Sequence, residues 1–154
     1  MKKILTILFL FILINSVGAQ TLDTDTIRRE NPDIEFLEKL IFEEINNYRV
    51  SKGLNVIEWN NTLAGWAKEQ SEWMNKVKKI SHRIGGPPGE CCFGGGHAFD
   101  NETYRFHAIL YAKQWIESPP HRDILLFEQS LYGGVGVKVE DNSYNGIYIT
   151  FQGN

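Results

Sequence analysis

The sequence predicts an α+β fold in which helices pack on an antiparallel sheet. Three observations predict it. Two long segments carry apolar residues at three- and four-residue steps, the period of a helix with one buried stripe. A glycine- and proline-rich stretch breaks that pattern between Ser81 and Gly96, and two β-branched stretches close the chain. Helices and strands grouped in this order argue helices laid against a hairpin-containing sheet.

Taken from the start, Met1-Lys2-Lys3 precedes an apolar run from Ile4 to Ile14 broken by Thr6, and Ser16-Val17-Gly18-Ala19 follows. A basic start, a short apolar run and small residues describe a secretory leader at 1–19, cleaved after Ala19. The run is too short to span a bilayer core of roughly 30 Å, and no second such run follows. Gln20 stands where a lipid-anchoring cysteine would be, so stable membrane insertion after cleavage is not expected. Residues 20–32 are polar and aperiodic, which predicts a mobile lead-in, with one domain over 33–154.

From Asp33 onward, Ile34, Leu37, Ile41, Ile45 and Tyr48 predict a first helix, ended by Ser51-Lys52-Gly53. A second helix opens with Asn60 or Asn61 as cap and is expected to bury Leu63, Trp66, Ala67, Gln70, Trp73, Met74 and Val77. Its tryptophans read as core. The 81–96 stretch holds six glycines and two prolines and reads as a loop with some extended segments. A third helix starts near Asn101, passes Phe106, Ile109, Leu110 and Trp115, and must stop before Pro119-Pro120. Gly134 to Val139 and Gly146 to Phe151 then form a closing hairpin.

Composition narrows the function classes. The chain has 16 basic and 19 acidic residues, and loss of the leader with Lys2 and Lys3 makes the net charge of −3 two units more negative. The one basic cluster, Lys76-Val77-Lys78-Lys79, ends a helix, so no nucleic-acid surface is expected. The two cysteines, Cys91 and Cys92, are adjacent and cannot staple distant segments. A vicinal disulfide, pairing between chains and buried thiols all stay open. Gly-x-Ser-x-Gly and His-Glu-x-x-His are both absent from the sequence.

Two motifs carry chemistry. Ser81-His82 at the end of the second helix is followed by Gly85-Gly86-Pro87-Pro88-Gly89-Glu90. This resembles the His-Ser-Gly-Gly-Pro-Tyr-Gly-Glu-Asn stretch of the plant pathogenesis-related class one proteins of the CAP superfamily. Trp115-Ile116-Glu117-Ser118-Pro119-Pro120-His121-Arg122-Asp123-Ile124-Leu125 is similar to the Trp-x-x-Ser-Pro-Gly-His-Arg-x-x-Ile-Leu of bacterial members. Asn47-Tyr48-Arg49, Leu54 to Trp59, Gly134-Val135-Gly136 and Tyr148 to Phe151 agree more weakly, so the resemblance spans residues 35 to 153.

The resemblance implies a three-layer α-β-α sandwich around an antiparallel sheet, with a cleft that holds a divalent metal, often zinc, in some members. His82 and His121 match the two cleft histidines and Glu90 matches one cleft acid. The second acid falls on Ser118 in the plant-type pattern, so Glu117 is one place early and reaches the cleft only if the last turn before Pro119 is distorted. Other departures are Cys91 for asparagine, Pro120 for glycine, and a longer Gly94 to Asp100 segment. His97 reads as a loop histidine and His107 as one on a helix face.

Two imidazoles and a carboxylate suit zinc and leave a position for water. A plainer role is that His82 and Glu90 hydrogen-bond one another to pin a loop. The leader predicts a secreted product, extracellular or periplasmic, and what is known of family members suggests a non-enzymatic module that binds a lipid, a glycan or a protein, with a monomer or weak oligomer expected. The rival is a metal-dependent hydrolase of peptides or esters, with Glu90 as base on a water held by His82 and His121.

Overall fold

The computed structural model describes residues 25–27, 31–85, 88–95, 99, 103–140 and 146–154. The expected leader at 1–19 and His97 lie outside the described residues. The elements are α1 (Ile34–Ser51), β1 (Glu58–Trp59), α2 (Asn61–Val77), β2 (Glu90–Gly94), α3 (Tyr104–Glu117), α4 (Pro119–Leu125), β3 (Tyr132–Val139) and β4 (Ile147–Gly153). Strand order is β1-β3-β4-β2.

β2, β4 and β3 pair antiparallel, whereas the two-residue β1 joins β3 in parallel, so the sheet expected to be antiparallel is mixed. The parallel pair arises because the segment after α1 runs along β3 before entering α2. Asn46 pins that segment by accepting from Ile57 N at 2.9 Å and donating to Ile57 O at 3.0 Å.

Side chains of β3 and β4 alternate between two faces, and this divides the layers. Val135, Val137 and Val139 with Ile147, Ile149 and Phe151 join Leu37, Ile41 and Ile45 of α1 and Tyr111 and Trp115 of α3 in the main core. Gly134 and Gly136 face α2. Here the approach is so close that an added Cβ would sit 2.3 Å from Ala64 N at Gly134 and 2.1 Å from Lys68 N at Gly136. Ser71 Oγ, inside this contact, donates to Gly136 O at 2.8 Å and to Thr150 Oγ1 at 3.0 Å.

That contact corrects the expected burial of α2. Leu63, Ala67, Gln70, Ser71 and Met74 are buried, but Trp66, Trp73 and Val77 are exposed. With glycines opposite, only small side chains fit beneath the helix. The tryptophans stand on its flank.

Helix ends follow their caps. Asp33 accepts from Phe36 N and Asn60 from Thr62 N and Leu63 N, satisfying amides that have no partner within their own helices. α3 begins at Tyr104 with Thr103 as cap, a turn later than expected. His107, placed on a helix face by the sequence, lies on the buried side of α3. Pro119 and Pro120 open a fourth helix where a turn was expected, because proline in a first helical turn forfeits no internal hydrogen bond. Within the lead-in, Thr26 bridges Thr103, Ile27 is buried, and Asp25 accepts from Tyr104 N and Arg105 N. Order in the described residues thus reaches upstream of Asp33.

Two substitutions, one on β3 and one on α2, separate close approach from helix propensity. Gly136→Ala should cost at least about 3 kcal/mol, since its methyl meets helix backbone rather than a movable side chain. Gly65→Ala, at an exposed α2 position with nothing within 4 Å, should stabilise by about 0.4–1 kcal/mol. Urea denaturation of both variants checks the contrast.

Candidate functional site

β2 is an edge strand, and the candidate site straddles its outer edge. Gly89 adopts φ +89°, a conformation open to glycine, and its added Cβ would meet Gly153 O at 2.7 Å. This turn delivers Glu90 as the first residue of β2, paired with Gln152. The Glu90 side chain is 9 % exposed. Its Oε1 lies 3.1 Å from His82 Nδ1, accepts from Arg83 N at 2.9 Å and receives the Cys92 thiol at 3.5 Å.

His82 comes from the α2 layer. Gln70, buried on α2, donates through Nε2 to Ser81 O, which also accepts from Cys92 Sγ at 3.5 Å. The loop carrying His82 is therefore tied to both helix and strand. His121 arrives from the opposite layer, in the first turn of α4, where its carbonyl accepts from Cys91 Sγ at 3.7 Å. The two imidazole centroids lie 6.4 Å apart at 49°. Burial and the nearby His82 hold the His121 pKa below the ordinary imidazole value. Its Nδ1 is buried without a hydrogen-bond partner among the described residues.

His82 and Glu90, predicted from sequence, are thus in contact, with His121 across the cleft. Their mutual hydrogen bond is also what the plainer loop-pinning role requires. Glu117 is not brought to them. It lies two residues past the buried Trp115, roughly 200° around the helix, and its 64 % exposed side chain pairs with Lys113 at 3.5 Å. α3 stays helical through Glu117, so no distorted turn redirects it. Ser118 serves as the C-cap of α3 and the N-cap of α4 without a side-chain capping bond.

Cys92 was not among the expected site residues. Strand alternation sends Cys91 into the core beneath α3 and α4 and Cys92 to the α2 face, so both are buried thiols rather than a vicinal pair. Burial raises both pKa values, that of Cys92 to about 12, keeping the metal-free thiols protonated. His82, Glu90 and Cys92 place one ligand atom each within 4.8 Å of one another and could hold a metal ion. The signal in the sequence was the i, i+2 spacing of Glu90 and Cys92, legible once residues 90–94 are taken as a strand.

A groove of about 400 Å³ borders the cluster, with Trp73, Arg83 and Ile84 around His82, and Arg83 paired to Glu69 at 3.1 Å. Arg49 supports the other wall. Buried on α1, it donates to Asn55 O at 3.0 Å, Leu125 O at 2.7 Å and Phe127 O at 3.0 Å. Carbonyls at the C-terminal end of α4 are thereby held by a charged fork, and burial lowers the Arg49 pKa.

A sequence model of the cysteine-rich secretory protein family, CAP, matches residues 42–152. No curated protein matches in sequence. Among solved structures, an outer surface protein from Borrelia burgdorferi is similar over 77 % of this chain and 93 % of its own, with TM-score 0.57 and 20 % identity. An extracellular protein containing an SCP domain from Bacillus anthracis is similar over 77 % of this chain and 40 % of its own, with TM-score 0.53 and 21 % identity. Hookworm platelet inhibitor is similar over 82 % and 72 %, with TM-score 0.51 and 14 % identity. At these identities the structures share the fold.

Loss of the Arg49 fork should loosen α4. Arg49→Met takes the guanidinium donor from three carbonyls, of which Phe127 O keeps Ser130 N, and should cost about 3 kcal/mol, and Arg49→Lys should recover less than half, because an ammonium lacks the planar fork. Chemical denaturation measures both; equal stability of the lysine variant and the parent would contradict the geometry.

Proposed function

Because the chain belongs to the CAP family, we propose that it is a secreted, non-enzymatic binding module whose cleft, formed by His82, Glu90 and His121, holds a divalent metal, zinc by preference. The observation that carries this reading is a nearly buried carboxylate in contact with His82, with the His121 ring, from another layer, 6.4 Å from that of His82 between centroids. The unpartnered Nδ1 of His121 fits the same role, since a buried ring nitrogen without a hydrogen bond is costly unless something engages it. A bound divalent ion would supply positive charge at the cleft and cross-link the layers. The chain's own residues set the donors: imidazole and carboxylate suit zinc better than the hard alkaline-earth ions.

Glu90 Oε1 meets His82, Arg83 N and the Cys92 thiol, which holds the carboxylate in place beside the first histidine. The groove beside His82 suits recognition: Trp73 and Ile84 offer apolar contact, and Arg83 with Glu69 offers polar contact at its rim. A lipid, a glycan or a protein segment are the ligand classes that fit. The leader-like Met1–Ala19 stretch supports export. No helix among the described residues is long and apolar enough to cross a membrane.

Zinc titration of the purified protein by calorimetry should show one site, lost in the His82→Ala, His121→Ala double variant, with no turnover of peptide or ester libraries by either. Turnover that disappears in the double variant would establish the hydrolase instead. Zinc binding unchanged by the two substitutions would place any metal elsewhere.

A further inference from the structure

From the packing beneath His82 we infer that Cys92 is a further ligand of this metal site, giving it a His82, His121, Glu90 and Cys92 donor set and closing it against substrate water. The inference rests on the metal-binding reading above and deepens it. Metal–ligand bonds of about 2.0–2.3 Å around a tetrahedral ion put neighbouring donor atoms roughly 3.3–3.8 Å apart. In this chain Glu90 Oε1 lies 3.1 Å from His82 Nδ1 and 3.5 Å from Cys92 Sγ, and all three donors fall within 4.8 Å of one another. Two of the three edges already have nearly the lengths a tetrahedral ion needs, and His121, which stands outside this group with its ring centroid 6.4 Å from that of His82, must turn in from across the cleft to complete it.

The surroundings leave Cys92 free to turn to a metal. Ser81 O, which accepts from the thiol, also accepts from Gln70 Nε2, so it stays satisfied when the thiol proton leaves. Thr150 Oγ1, 4.0 Å from Sγ and able to donate to it, remains as a partner for the sulfur. Cys91 has no such access, because it faces the opposite side of β2 and meets His121 O. The site is therefore asymmetric in its two cysteines: one supplies a donor atom and the other holds the backbone of the second histidine.

A thiolate changes which metal the site prefers and what it does. Sulfur favours zinc and softer ions over magnesium, calcium or manganese. Four protein ligands are the mark of a structural centre, whereas catalytic zinc keeps a position for water. With Cys92 engaged, the ion joins the α2-side loop to α4 across the edge of β2.

Cobalt(II) titration of the purified protein tests this, read by absorption and by calorimetry in parallel. The parent protein and Cys91→Ser should develop a near-ultraviolet sulfur-to-cobalt charge-transfer band on binding. Cys92→Ser should bind without that band, and its zinc affinity should fall at least about tenfold, the smallest loss seen even for outer partners of metal ligands. Cobalt binding by the parent without the band would overturn the role of Cys92 while leaving the metal-binding reading intact. Absence of binding by calorimetry would overturn both, and a band that survives Cys92→Ser would assign the sulfur elsewhere. The parent spectrum decides even if Cys92→Ser does not fold.

Discussion

The seating of α2 on β3 is the constraint on which the rest of the structure depends. Two glycines at the sheet surface let helix backbone come closer than any Cβ would permit. Ser71 locks the contact with hydrogen bonds to Gly136 O and Thr150 Oγ1. Large side chains cannot occupy that interface, so Trp66 and Trp73 are displaced to the flank, where Trp73 becomes a wall of the groove beside His82. The same seating sets the height of Gln70, which holds Ser81, and hence the position of His82 over β2. A helix placed for packing thus also places the first histidine.

The second histidine depends on a different device. α4 is only seven residues long and has little intrinsic stability. It is held at one end by the buried Arg49 and near its start by the Cys91 thiol against His121 O. His82 and His121 are therefore fixed by separate layers that meet at the edge of β2. A metal between them would act on the relation of those layers rather than on one loop. The adjacent cysteines contribute through strand alternation, one to each side, which is why their neighbourhood in sequence does not become neighbourhood in chemistry.

Much of this architecture was legible in the residues. The periodicity of Ile34 to Tyr48, the Asn60 cap and the closing hairpin all follow local rules that the fold does not override. His82, Glu90 and His121 were recognisable through two motifs, and the structure brings them to one edge. Other features depended on partners far along the chain. The exposure of Trp66 and Trp73 follows from glycines about seventy residues away, and α4 is too short to show a helical period behind Pro119 and Pro120. Glu117, one place early in its motif, needed a distorted last turn to reach the cleft, but α3 keeps its turn and carries it to Lys113.

Sequence alone determined the fold class, the Asn60 cap and the hairpin, and pointed to three candidate site residues, because each of these rests on local periodicity, on the chemistry of a few neighbouring residues or on a motif. Tertiary structure alone decided which faces are buried, which wall each histidine comes from, and that Cys92 rather than Glu117 stands with His82 and Glu90. The physical reason is that burial and donor geometry belong to pairs of surfaces. Half of each pair is supplied by residues that the local pattern cannot see.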